Sequence, residues 1–151
     1  MKNIKILMCL LFVFTLTGCG SKNKLVAYLE EDSFDCLKNV CVKESTEKDN
    51  VKVVTTYDID NKLLKIDTKF TSLQTSYFEY NWDTKKATYT YKILDETFDT
   101  TYDFNEHEYK CDSNSKDNIY KKAECSSLKE DIENNVKNFN EVIEKSKYEI
   151  K

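Results

Sequence analysis

The chain has no arginine and no proline, and its only two glycines, Gly18 and Gly20, stand near the start of its 151 residues. Without arginine, and with a net charge of −4, it offers no basic face for phosphate or base recognition, which argues against a nucleic-acid binder. Without glycine after residue 20 it has neither a P-loop nor a dinucleotide-binding loop. Mixed charges and 13% aromatic residues favour a folded chain, and the length suits one domain.

The first residues follow the pattern of a secretory signal. Lys2 and Lys5 provide a basic start, and residues 6–16 are apolar except for Thr15. This run is too short to cross a bilayer core, which needs about 20 residues. A basic start, a short apolar run and small residues after it predict a signal peptide over residues 1–18, which takes no part in the fold.

The end of this segment carries the most specific motif in the chain. Leu16-Thr17-Gly18-Cys19 resembles the lipobox of bacterial lipoproteins. The resemblance implies cleavage between Gly18 and Cys19 and a diacylglyceryl group on the sulfur of Cys19. The alternatives are an ordinary signal with a chance cysteine and a short N-terminal anchor. Beyond Cys19, the lysine- and asparagine-rich, arginine-free composition resembles that of small lipoproteins of low-GC Gram-positive bacteria.

From this resemblance we expect a protein anchored by lipid to the extracytoplasmic face of the cell membrane. Residues 19–24 are expected to be the lipidated cysteine and a polar tether, and residues 25–151 a single domain. Loss of Lys2 and Lys5 with the signal changes the net charge from −4 to −6.

Four cysteines remain after Cys19, namely Cys36, Cys41, Cys111 and Cys125. An even number in an exported chain predicts two disulfides, with three possible connectivities. A hairpin turn at residues 38–39 would set Cys36 opposite Cys41, within bonding distance, and this favours Cys36–Cys41 with Cys111–Cys125. Buried free thiols are the alternative. A zinc site is disfavoured because no two cysteines have the C-x₂-C spacing.

From residue 51 the apolar residues recur with period two, which is typical of half-buried strands. Turns are predicted at Asp60-Asn61, at residues 83–85 and at Asp95-Glu96. Short connections between strands imply antiparallel neighbours, so we predict a β-meander of about six strands. The residues expected on its core face are Val51, Val53, Thr55, Tyr57, Ile59, Leu64, Ile66, Thr68, Phe70, Phe78, Tyr80, Trp82, Tyr89, Tyr91, Ile93, Phe98, Tyr102, Phe104, Tyr109 and Cys111.

Near residue 127 the period changes to that of a helix. Ser127 and Glu130 fit a capping box, with Ser127 as the N-cap. Leu128, Ile132, Val136, Phe139 and Ile143 form one apolar stripe, so an amphipathic helix of about 20 residues is expected to cover one face of the sheet. Residues 117–124 could add a helical turn, and residues 25–29 fit either a strand or a helix. The predicted class is α+β.

Little in the chain indicates chemistry. His107, the only histidine, stands between Glu106 and Glu108, but neighbouring strand residues point to opposite faces and would not converge on a metal. No serine has the G-x-S-x-G context of a hydrolase nucleophile. Asp58-Ile59-Asp60-Asn61 lacks the glycine and late glutamate of a calcium loop and is interpreted as a hairpin turn. We expect no catalytic residue, metal or cofactor.

These observations favour a non-enzymatic binding module that offers the open sheet face or its loops to an extracytoplasmic protein or a small ligand. One alternative is a membrane-tethered hydrolase with a carboxylate pair, which acids with raised pKa values in a concave site would favour. Another is an inhibitor or immunity lipoprotein directed at a cationic cell-wall enzyme, which a net charge of −6 would suit.

Overall fold

The computed structural model describes residues 23–150 and confirms the α+β class. Eight antiparallel strands form one open sheet, each pairing with the next in chain order. Two helices accompany the sheet, and a 3₁₀ turn at Lys48–Asn50 links the second strand to the third. The elements are α1 Lys24–Glu31, β1 Asp35–Leu37, β2 Val40–Thr46, β3 Lys52–Asp58, β4 Leu63–Lys69, β5 Gln74–Asn81, β6 Lys86–Ile93, β7 Glu96–Asp103, β8 Glu108–Ser113 and α2 Asn118–Ser146.

The predicted count of about six strands is too low. The six strands expected from residue 51 onward correspond to β3–β8, and the count left out β1 and β2, the hairpin that carries Cys36 and Cys41. The physical reason lies in β2, where Lys43 and Ser45 share a face with buried Cys41, so the strand lacks apolar alternation.

The period-two pattern places its residues on the predicted core face. The register sets Tyr57 opposite Leu64, Ile66 opposite Phe78, and Tyr91 opposite Phe98. The other face is polar, with Thr88 opposite Thr101 and Thr90 opposite Asp99. We call these the core face and the open face.

The C-terminal helix begins earlier than predicted. Its N-cap is Asp117, whose Oδ1 accepts hydrogen bonds from the backbone N–H groups of Ile119 at 2.9 Å and Tyr120 at 3.0 Å. Ser127 therefore lies inside a helix of 29 residues and caps nothing. The apolar stripe extends backward because Tyr120 packs edge-on against Phe98, with ring centroids 5.7 Å apart.

The predicted stripe of this helix is buried at Leu128, Ile132, Val136 and Phe139. Phe139 is the centre of an aromatic cluster. Its ring centroid lies 5.0 Å from that of Trp82, 5.4 Å from that of Tyr80 and 6.3 Å from that of Tyr57. Helix α2 is thereby fixed to the core face of the sheet.

The region of residues 25–29, which the sequence left open, is helical. Leu25, Val26 and Leu29 are buried in the core, and α1 packs against α2, β1 and β2. The Asn23 side chain caps α1 by accepting a hydrogen bond from the Leu25 N–H at 2.9 Å. The folded region thus begins inside the segment predicted to be a tether.

Both predicted disulfides are present. Cys36 and Cys41 face each other across β1 and β2 with Cα atoms 4.0 Å apart, and Cys111 of β8 is bonded to Cys125 of α2 across 5.9 Å. By loop-closure entropy the first contributes about 2 kcal/mol and the second about 3 kcal/mol. The second ties the first third of α2 to the edge of the sheet.

Three hairpin turns at one end of the sheet share a design that the sequence analysis did not identify as a repeat. Each follows an Asp or Asn whose side-chain oxygen accepts a backbone N–H three residues later, and each ends on a residue in the left-handed region. The three turns are Asp58-Ile59-Asp60-Asn61-Lys62, Asn81-Trp82-Asp83-Thr84-Lys85 and Asp103-Phe104-Asn105-Glu106-His107.

Backbone hydrogen bonds connect these turns to one another. The N–H of Trp82 donates to the Lys62 carbonyl at 3.1 Å, and the N–H of Phe104 donates to the Lys85 carbonyl at 3.0 Å. The left-handed residue of the first turn is Lys62, with φ 57°, and not Asp60 or Asn61.

The turn predicted at Asp95-Glu96 is displaced by one residue. Ile93 pairs with Glu96, so the two-residue turn is Leu94-Asp95, and Leu94 adopts a φ of 54°. Glu96 is the first residue of β7, on the same face as Phe98.

A glycine at a left-handed turn position is expected to stabilise the fold. Lys85 has a φ of 53°, a conformation that costs a non-glycine residue about 1 kcal/mol or more. Lys85→Gly should raise the free energy of unfolding by about 0.5 kcal/mol, measured by urea denaturation, once the added chain entropy is subtracted. Thr84→Gly, one residue earlier in the same turn and without a positive φ, should lower it. Equal effects of the two changes would contradict the explanation.

Candidate functional site

Helix α2 leaves one corner of the core face uncovered. It packs on β6, β7 and β8, and Phe139 then reaches Tyr57 of β3. At the end of the sheet away from the three repeated turns, the core-face residues of β3 and β4 are only half-buried, among them Val53 and Ile66. A crevice of about 560 Å³ opens here between sheet and helix. Its lining is Glu47, Val51, Val53, Thr55, Ile66, Thr68, Phe70, Ser76, Phe78, Tyr89, Asp131, Asn134 and Asn135.

The crevice has an apolar floor and a polar wall. Strand residues such as Val53, Ile66 and Phe78 provide the floor, and Asp131 and Asn135 of α2 stand on the wall. All charged groups among the lining residues are carboxylates, those of Glu47 and Asp131. A volume of this size is typical of sites for small ligands, and the lining here exposes polar surface at least as much as apolar surface.

The helix geometry explains how three polar side chains reach one wall. Asp131, Asn134 and Asn135 are spaced at i, i+3 and i+4, which places them on one flank of α2. Burial of Ile132 and Val136 beside them fixes the rotation of the helix. These residues were not among the predicted site residues, although the lysine-free polar flank beside the apolar stripe is a signal for them.

Partial desolvation raises pKa values on the helix side of the crevice, where Glu124 is half-buried and Asp131 is exposed. The pKa of Asp131 is raised mainly by desolvation and further by the neighbouring charge of Glu130. The pKa of Glu124 is raised by desolvation and then by the charge of Asp131. The pKa of Tyr89 is also raised, chiefly by burial and against a hydrogen bond with Ser76 that lowers it. The wall therefore favours a positively charged neighbour.

Two tyrosines, Tyr91 and Tyr120, lie between the crevice and the start of α2. Gln74 donates a hydrogen bond from Nε2 to the Tyr91 hydroxyl oxygen at 2.8 Å. The pKa of Tyr91 is raised by burial first and then by the charge of Glu124. Tyr120 follows, with its pKa raised by burial and by Glu124.

The residues considered in the sequence lie elsewhere. His107 is exposed at the last position of its turn, with a φ of 54°, and Glu106 and Glu108 are exposed beside it. Within residues 23–150 there is no group of three or more His, Cys, Asp or Glu side chains that could hold a metal ion. The four cysteines after Cys19 form the two disulfides. Gly18 and Cys19 lie outside the described residues.

The part of the chain that the structure describes contains no helix with the length and apolar character needed to cross a membrane. Helix α2, the longer of its two helices, has 29 residues but is rich in charged side chains.

The raised pKa of Asp131 predicts a pH-dependent effect of its removal. Folding favours the protonated carboxyl, so its contribution to stability is present below the unfolded pKa, near 3.8, and is lost as the pH rises through the folded pKa. Asp131→Asn should raise the free energy of unfolding at pH 7 by no more than about 0.5 kcal/mol, since solvent screens the exposed group. At about pH 3 the gain should vanish.

The control is Glu141→Gln, which removes a charge from the same helix at a site paired with Lys145 at 3.8 Å. It is expected to give no gain at pH 7. Denaturation curves at both pH values decide the matter, and a gain of equal size in both variants would contradict the assignment to Asp131.

Comparisons with protein-family models, with curated protein sequences and with solved structures found no match for this chain. What the protein binds must therefore be inferred from the shape and charge of the crevice, the lipobox-like motif before Cys19 and the two disulfides.

Proposed function

We propose that this protein is a lipid-anchored, extracytoplasmic, non-enzymatic binding protein. Its ligand is a small molecule that carries a positive charge on an apolar body, and it binds in the crevice between the sheet and α2. The observation that carries this proposal is a crevice of about 560 Å³ with an apolar floor whose charged lining groups are both acids.

The two acids are available to a ligand. Neither Glu47 nor Asp131 has a Lys or His nitrogen within 4.0 Å among residues 23–150. An ammonium group beside Asp131 would favour the charged carboxylate that desolvation disfavours. The apolar floor would bury the rest of the ligand, at about 25 cal/mol for each Å² removed from water.

Two features support the location. The lipobox-like motif at Leu16-Thr17-Gly18-Cys19 supports lipidation of Cys19, and two acyl chains at about 0.8 kcal/mol per buried CH₂ would hold the protein at the membrane. The disulfides Cys36–Cys41 and Cys111–Cys125 suit a chain that folds in an oxidising compartment outside the cytoplasm.

Intact mass of the natively expressed protein tests the anchor. The expected mass is that of residues 19–151 plus a diacylglyceryl group, with or without an N-acyl chain, and alkylation should label four thiols only after reduction. A mass that retains Met1, or one that starts elsewhere and carries no lipid, would refute the anchor.

Calorimetric titration with octylammonium tests the crevice. Octylammonium should bind, while nonanoate, which has the same eight-carbon alkyl chain and the opposite charge, should bind at least about tenfold more weakly, a difference of about 1.4 kcal/mol. Asp131→Asn should reduce octylammonium affinity by a similar factor. Glu141→Gln, on the same helix but outside the lining of the crevice, should leave it unchanged. Equal affinity for both probes would contradict the proposal.

The second candidate is a membrane-tethered hydrolase. The observation in its favour is that Asp131 and Glu124 both have raised pKa values, as a general acid would need. Against it, seven residues of helix separate their Cα atoms by about 10.5 Å, and Glu124 does not line the crevice. Glu124→Gln separates the candidates, because it should abolish turnover in a hydrolase that uses this pair and leave octylammonium binding intact in a binding protein.

A further inference from the structure

The two acids that line the crevice belong to different elements and approach it from opposite sides. Glu47 follows β2, and its N–H donates to the Val51 carbonyl at 2.8 Å, which places it beside the start of β3. Asp131 belongs to α2 and lies near β6, because the pKa of Tyr89 on that strand is raised by burial and, to a smaller extent, by the charge of Asp131. The crevice therefore has one carboxylate at each side.

The order of the strands gives the separation of these two sides. Strands β3, β4, β5 and β6 are consecutive neighbours, so three spacings of about 4.8 Å, roughly 14 Å in all, separate β3 from β6. Because Glu47 lies in the connection between β2 and β3, the separation is at most one spacing more, roughly 19 Å. A hydrogen bond of about 3 Å at each carboxylate leaves roughly 8–13 Å between two bound cationic groups.

The lining between the two acids is uncharged. Val53 of β3, Ile66 of β4 and Phe78 of β5 supply apolar surface, and the other lining residues of these strands are Val, Thr, Ser and Phe. The register sets Ile66 directly opposite Phe78, so the apolar surface continues from strand to strand. This part of the crevice suits an uncharged chain that joins two charged ends.

The lysines on the sheet side do not neutralise these acids. Lys43 shares the core face, but its Nζ donates to the Asp32 carbonyl at 2.7 Å and lies 3.3 Å from the Asp32 carboxylate. Lys52 belongs to the open face, on the other side of the sheet. Lys48 follows Glu47 in the chain and does not line the crevice.

The helix side adds negative charge to that of Asp131. Desolvation first, and then the charge of Glu130, raises the pKa of the Asp131 carboxyl. Lys129 lies elsewhere, with its Nζ 5.7 Å from the ring centroid of Tyr102 and 3.9 Å from a carboxylate oxygen of Glu133. A ligand with a single positive charge would pair with one of the two lining acids and leave the other without a partner.

We propose that the crevice takes a linear diamine, in which two ammonium groups end an uncharged chain of about eight carbon atoms, one bound by Asp131 and the other by Glu47. Extended, such a chain sets its nitrogen atoms about 11 Å apart, from bonds of about 1.5 Å at tetrahedral angles. The inference rests on the proposed function, which requires one positive charge on an apolar body, and it assigns the chemical class of the ligand.

The wall of α2 supplies further partners for the ammonium group at Asp131. An ammonium has three N–H donors, and a carboxylate takes one or two of them. Asn134 and Asn135 line the crevice on the same flank of the helix, and their amide oxygens are acceptors for the remaining donors.

The test is calorimetric titration of the full natively expressed protein in phosphatidylcholine nanodiscs, with empty nanodiscs as the blank. 1,8-Diaminooctane and octylammonium have the same alkyl chain and differ by one ammonium group, and all these amines are charged at pH 7. We expect the diamine to bind at least about tenfold more tightly than octylammonium, beyond the factor of about two that two equivalent ends provide.

Variants assign the second ammonium group to its partner. Glu47→Gln should bring the affinity of 1,8-diaminooctane to within about twofold of that of octylammonium and leave octylammonium binding unchanged, whereas Asp131→Asn should weaken both. Glu141→Gln, outside the lining of the crevice, should change neither. Both acids of the crevice are exposed, and equal urea denaturation midpoints of wild type and Glu47→Gln would show that the fold is kept.

Chain length provides a second control. The nitrogen atoms of 1,4-diaminobutane are about 6 Å apart, too close to reach both acids, so its affinity should not change in the Glu47→Gln protein. A dependence on Glu47 as large as that of 1,8-diaminooctane would overturn the two-ended mode of binding.

The outcomes separate this inference from the proposed function. If octylammonium binds through Asp131 and the diamine binds no more than about twofold more tightly, the diamine is overturned and the proposed function stands. A tenfold advantage that persists in the Glu47→Gln protein also overturns the inference, because the second ammonium group then has another partner. If neither amine binds, both the inference and the proposed function are refuted.

Discussion

The packing of Phe139 among Trp82, Tyr80 and Tyr57 is the contact on which the rest of the structure depends. Its side chain is 1% exposed, and its ring meets side chains from β3, β5 and the turn after β5. The Cys111–Cys125 disulfide holds α2 to the sheet edge near the other end of the helix. Together, the Phe139 cluster and the disulfide fix the direction in which α2 crosses the core face.

The crevice results from this orientation of α2. Between the two fixed points, α2 passes beside the half-buried residues of β3 and β4 instead of over them, and Asp131 faces the space that remains. Apolar strand residues on one side and a lysine-free helix flank on the other give this space its amphipathic and anionic character. A binding site thus arises where two packing surfaces do not meet.

The nearly glycine-free chain also shapes the sheet ends. Nine described residues other than glycine, Lys62, Lys85 and His107 among them, adopt positive φ values. In the three repeated turns, side-chain oxygens from the preceding Asp or Asn and backbone hydrogen bonds between successive turns compensate for this conformation. The opposite end uses other connections, and there Leu73 and Leu94 remain exposed.

The sequence by itself determined the α+β class, the faces of β3–β8, the helical stripe and both disulfides. Each of these follows from a local period or from one hairpin register, as with Cys36 and Cys41. Tertiary structure decided the start of α2, because Tyr120 gains a partner only when Phe98 of β7 lies beside it, which the capping box at Ser127 does not reveal. It also decided the crevice, since the position of Asp131 depends on packing between distant segments.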